Sequence, residues 1–157
     1  MKRKNVILVI MLLLFLGFTI YFLLGHSSKK IFLSTDENAQ EWEGNQKLPS
    51  GTKANDKTIK VPGISSLVFI ANQKDQKVNF YNPKENTCLF RMTLYIEDKQ
   101  YWQSGYVNPG KGYYDITLDD VMKTGEYDGA LLVECFKNEG AALNNARIEF
   151  NLKVVDE

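Results

Sequence analysis

Near its C-terminal end the chain alternates without interruption. Ala146, Ile148, Phe150, Leu152 and Val154 are apolar, and Arg147, Glu149, Asn151 and Lys153 between them are polar or charged. A period of two sends successive side chains to opposite faces, which is the pattern of a half-buried β-strand. Cys88, Phe90, Met92, Leu94 and Ile96 repeat it, as do Tyr114, Ile116 and Leu118. The last of these series predicts that Tyr114 faces the core and Tyr113 points outward. Apolar stretches at 67–71, 78–81, 101–107 and 127–136 complete a set of about seven strands.

Turn chemistry falls between these stretches. Asn108-Pro109-Gly110 suits a type II turn, with Pro at the second position and Gly where φ is positive. Asn82-Pro83, Glu97-Asp98-Lys99 and Asn138-Glu139-Gly140 break the other junctions, and 118–122 has room for a single helical turn. Short strands at this spacing predict an all-β, antiparallel immunoglobulin-like sandwich over residues 58–157.

The first part of the chain follows a different pattern. Residues 6–24 are nineteen consecutive uncharged, mostly apolar positions. A helix crossing a bilayer needs about 20 such residues, so the run predicts one N-terminal transmembrane helix. Lys2, Arg3 and Lys4 precede it, which places residues 1–5 in the cytoplasm and the C-terminal domain outside. A cleaved signal peptide is the rival reading, but the run is long and Leu23-Leu24-Gly25-His26-Ser27 has no small-x-small cleavage pattern. Residues 25–57 are polar and read as a linker, with a tether length of roughly 30 Å as a flexible coil. Ser34-Thr35-Asp36-Glu37 fits a capping box and predicts a short helix through Trp42. A sharper reading makes 31–33 or Trp42 a docking point for a partner.

Charge changes the picture once the anchor is set aside. Nineteen Lys+Arg balance nineteen Asp+Glu, and removing Lys2, Arg3 and Lys4 leaves sixteen against nineteen, a net of −3 for the exported part. A mildly acidic domain is unsuited to gripping phosphate backbones, which argues against nucleic acid as a partner.

The region from Lys57 to Glu157, with Leu118 and Gly125-Glu126-Tyr127 ahead of a long apolar strand, resembles the small immunoglobulin-like modules that many Gram-positive bacteria display on single-pass anchors. The resemblance implies architecture and a cell-membrane location, not an activity. Cys88, Trp102 and Cys135 imitate the Cys…Trp…Cys core of antibody domains, although Tyr127 lies eight residues before the second Cys rather than two. Outside the cytoplasm the two cysteines are able to pair. If their strands run in the same direction in facing sheets, Cys88 and Cys135 sit at opposite ends; if the strands are antiparallel, the ends coincide and a disulfide forms easily.

Candidate chemistry is sparse. His26 is the only histidine and lies in the linker, so a Cys-His nucleophile or a His-based metal site is hard to build in the domain. No phosphate-binding loop, nucleophile elbow or zinc-protease motif occurs, and the sequence predicts no enzyme and no cofactor. Asp119-Asp120 lacks the dense acidic spacing of a calcium loop. The aromatics say more. Tyr101, Trp102 and Tyr106 share one expected strand and Tyr113 opens the next, a candidate contact patch for a protein or a sugar, with core packing favoured for Trp102. These features together predict a membrane-tethered, extracytoplasmic, non-enzymatic binding or assembly module of a cell-envelope complex. The alternative is a cell-wall glycan-binding module using the exposed aromatics.

Overall fold

The computed structural model describes residues 11–16, 19, 32–44 and 59–157. The chain divides into two units, residues 1–31 and residues 32–157. In the first, residues 11–16 are helical and their side chains are exposed. The expected span over 6–24 lies largely outside the described residues. Among the described residues no helix is long and apolar enough to cross a membrane.

The second unit is built from strands: β1 (Gln40–Glu41), β2 (Ser66–Ile70), β3 (Asp75–Tyr81), β4 (Leu89–Ile96), β5 (Lys99–Gln103), β6 (Lys111–Thr117), β7 (Gly125–Phe136) and β8 (Ala142–Val155). They form two sheets, one ordered β1-β6-β3 and the other β2-β8-β7-β4-β5. Every pairing is antiparallel except that of β2 with β8. Seven strands lie near the positions expected from the apolar periodicity; the short β1 is the addition.

Both sheets turn their apolar positions onto one core. Phe80 and Ile116 come from the smaller sheet, and Phe69, Phe90, Leu131 and Leu152 from the larger. The alternating set of β4 behaves as its sequence predicts, with Phe90, Met92, Leu94 and Ile96 all buried. Asn82 is wholly buried at the end of β3 and donates from Nδ2 to the carbonyls of Cys88 and Val107. Buried Gln76 likewise accepts from Ile70 N and donates to Ile70 O and Gln73 O. Side-chain amides thus satisfy backbone groups where the ladders stop.

Turn residues act as their chemistry requires. Gly110 has φ +81°, and Lys111 N donates to Asn108 O at 3.1 Å, closing the Asn-Pro-Gly turn. Glu97 and Asp98 both have positive φ in the two-residue β4–β5 hairpin. Glu97 is held there by Asp128, whose O accepts from Glu97 N and whose N donates to Glu97 Oε1.

Four expectations need correction. The helix proposed through Trp42 is absent: residues 32–44 are an extended strap on the domain, with a turn at Glu37–Asn38, and β1 pairs with β6. The strand expected over 101–107 stops at Gln103: Ser104 N still donates to Met92 O, but Met92 N donates to the Ser104 hydroxyl, and Val107 then rejoins β4 through Phe90. Residues 118–122 bend without forming a helical turn. The outward assignment of Tyr113 also fails. Asp115 pairs with Lys77 and Tyr113 with Phe80, so two β3 residues oppose Tyr114 alone. This bulge breaks the alternation of β6, burying Tyr113 and exposing Tyr114.

The cysteine geometry is resolved by topology. β4 and β7 are antiparallel neighbours in one sheet, with Phe90 opposite Cys135. Cys88, just before β4, therefore lies beside the end of β7, and the two sulfurs are bonded at a Cα separation of 6.0 Å.

Candidate functional site

The site grows from residues that the sequence placed in a linker. In the turn at Glu37–Asn38, Asp36 Oδ1 accepts from Asn38 N at 2.9 Å, a local Asx-type arrangement. Its other oxygen reaches across the fold, accepting from Gly105 N at 2.8 Å and from Tyr113 Oη at 2.6 Å. One carboxylate thus ties the strap to the end of β5 and to β6. Burial alone would raise the Asp36 pKa, but the bonds from Tyr113, Asn38 and Gly105 outweigh it and hold the carboxyl below its ordinary 3.8. Burial, then the Asp36 carboxylate, pushes the Tyr113 phenol above its ordinary 10.0. The shifts are mutually consistent: the pair favours an ionised acid and a protonated phenol.

Trp42 fixes the other end of the strap. Its indole stacks on Tyr81 with ring centroids 3.7 Å apart, and Nε1 donates to Asn79 Oδ1 at 2.6 Å. Trp42 N donates to Gly110 O, and Glu43 N to Tyr114 Oη. The docking surface for Trp42 is the chain's own domain.

Between strap, β5 and β6 lies an open groove of about 610 Å³. Trp102 lines it, half-buried, meeting Tyr113 edge-on at 5.0 Å and Phe80 at 5.9 Å. Asp36, Asn38, Gln103 and Asp115 supply polar groups along its walls. Gln103 is oriented by donating to Thr93 Oγ1 at 2.8 Å.

The four aromatics of the expected patch do not form one surface. Trp102 and Tyr113 meet at the groove, where the Tyr113 hydroxyl is engaged by Asp36. Tyr101 packs against the core and has Lys99 Nζ 4.8 Å from its ring centroid. Tyr106 lies with Phe136 and Arg91 on the face of the five-stranded sheet opposite the core. There Arg91 makes a two-pronged pair with Glu134, Nε to Oε2 at 2.9 Å and Nη2 to Oε1 at 3.1 Å. That bond, offset in part by burial, raises the guanidinium pKa further. The groove residues sequence reasoning missed include Gln103 and Asp115, and also Asp36 and Asn38, whose Asp-x-Asn spacing is an Asx-turn signal.

A second depression, about 530 Å³, lies by the β4–β5 hairpin and is flanked by Tyr95, Asp98, Asp128 and Arg147. Arg147 already bridges Asp98 at 3.1 Å and Glu149 at 3.8 Å, so its charge is spent within the wall. Asp120, an exposed residue, is held below its ordinary pKa by Lys99 Nζ at 3.2 Å. Among the described residues no group of three or more His, Cys, Asp or Glu is placed to hold a metal ion.

Chemically the groove offers an aromatic platform, amides and carboxylates, an arrangement for binding. Comparison with family models, with curated proteins and with solved structures finds no match to this chain.

Proposed function

We propose that the chain is a non-enzymatic binding or assembly module of a cell envelope, tethered through residues 6–24 with its β-domain outside the cytoplasm. The observation that carries this reading is the Asp36–Tyr113 lock. The Asp36 carboxylate and the Tyr113 phenol, whose pKa values are pushed apart, are spent on holding the strap, with the acid ionised and the phenol protonated. A catalytic pair would need a group free to exchange a proton with substrate.

Two further features support it. The sheet orders, with β8-β7-β4-β5 in one layer and β3 beside β6 in the other, follow the layering of immunoglobulin-like sandwiches. In such a scheme β2 is a first strand that has crossed to pair with the last. The Cys88–Cys135 bond suits an oxidising compartment, and the nineteen-residue apolar run behind three basic residues suits an anchor that keeps the N-terminus inside. Here the disulfide lies within one sheet, unlike the inter-sheet bridge of antibody domains.

Cell fractionation with protease accessibility tests the topology: the full chain should sediment with membranes, its β-domain cleavable from outside. Crosslinking in intact cells, then purification from solubilised membranes, tests the assembly role. A reproducible envelope partner is expected, and monomer alone would count against the reading.

A further inference from the structure

We propose that the groove between the strap, β5 and β6 binds an uncharged glycan, with the Trp102 indole under a sugar ring and Asn38, Gln103 and Asp115 bonding its hydroxyls. The proposal rests on the reading of the chain as a binding module and names the ligand class.

The dimensions come first. At about 610 Å³ the groove lies within the roughly 300–1,000 Å³ range of small-ligand sites. It is open to solvent, so a ligand reaches it directly. Trp102 is the largest aromatic in its wall, and its position is set by Phe80 and Tyr113 rather than by a loop. A fixed, partly exposed indole offers apolar area without loss of side-chain freedom on binding. Around it the polar groups are amides and carboxylates, whose paired acceptors and donors match vicinal hydroxyls.

Charge narrows the class. Asp36, Glu37 and Asp115 line the groove, and among the described residues no Lys or Arg does. Lys77 reaches Asp115 at 3.7 Å, but its side chain is 88% exposed. A phosphate- or uronate-bearing polymer would meet three carboxylates against one rim cation, Lys77. For an amine-bearing ligand two of the three carboxylates are already engaged, Asp36 by three hydrogen bonds and Asp115 by Lys77. A peptide has no obvious mode of entry. The Tyr101 carbonyl on the outer edge of β5 is taken by Asp119 N at 2.8 Å, and the groove has no row of apolar side-chain pockets.

The strap forms one wall, so binding and docking are linked. Ligand held between Asn38 and Gln103 stabilises the docked strap, and a released strap removes half the site.

The test uses the full chain in a detergent without a sugar headgroup, monitored by NMR at the two indole N–H resonances and assigned with Trp42→Phe. A neutral chito-oligosaccharide should shift the Trp102 resonance in the high-micromolar to millimolar range, whereas a polyglycerol phosphate should not. Asn38→Ala combined with Asp115→Ala, both at exposed positions, should weaken binding at least about tenfold, about 1.4 kcal/mol, with the fold intact. No shift with the oligosaccharide, preferential binding of the anionic polymer, or equal binding by the double variant would each overturn the proposal. A crosslinked protein partner would still stand as evidence for the module, so the two readings fail separately.

Discussion

Asp36 is the residue on which most of the site depends, because its carboxylate joins three segments distant in sequence. Replacing Tyr113 by Phe removes a hydrogen bond to an ionised acceptor and should cost about 1–2 kcal/mol, measured as a lower denaturant midpoint. The same change should bring the Asp36 titration back toward 3.8, readable by carboxyl-carbon NMR, and an unchanged titration would refute the lock. The pH signs follow from the two shifts. Asp36 has a lowered folded pKa, so its contribution is complete above pH 3.8 and is lost as pH falls through the folded value. Tyr113 has a raised folded pKa, so its contribution is complete below pH 10.0 and is lost as pH rises toward the folded value. The domain should therefore show no stability change from this pair across the neutral range, with losses at both extremes.

At the scale of elements, the strap and the β3–β6 pair decide what the groove looks like. Trp42→Ala removes the stack on Tyr81 and the bond to Asn79, so the strap should open more often while the central strands do not. Hydrogen exchange should quicken at the amides of Asp36 and Trp42 and stay unchanged at β4 and β7. Equal acceleration everywhere would mean the strap is part of the global unfolding unit. Gly112, opposite Tyr81, explains the close approach of β6 to β3: a Cβ there would run into the Phe80 carbonyl and the Tyr81 backbone. Backbone yields less readily than a side-chain tip, so Gly112→Ala should destabilise by about 1–3 kcal/mol in thermal or denaturant melts. The alternation of β8 was legible because no bulge touches its 146–154 stretch, whereas that of β6 misled. The reason lies in its partner: the extra residue on β3 between Lys77 and Phe80 is invisible in the β6 sequence.

For the molecule as a whole, the Cys88–Cys135 bond spans a sequence separation of 47, covering β4 to β7. Loop-closure entropy for that length amounts to about 4 kcal/mol at most, so the Cys88→Ala, Cys135→Ala pair should melt well below the wild type. An unchanged midpoint would mean that the unfolded chain is already constrained. Local pattern was sufficient to place seven of the strands, the turn at Gly110, the all-β class and the apolar run at the start of the chain. It was sufficient because periodicity and turn chemistry act over a few residues. It also placed both cysteines on core-facing positions. Whether they meet depended on β4 and β7 being neighbours in one sheet, a relation between segments far apart in sequence. The groove is of the same kind. Asp36 lies 66 residues before Trp102 and Tyr113 eleven after it, and their types are compatible equally with a helix cap, a core and an exposed patch. Only sheet order and one bulge brought them together, because hydrogen-bond partners and burial are set by packing, which no local window of sequence contains.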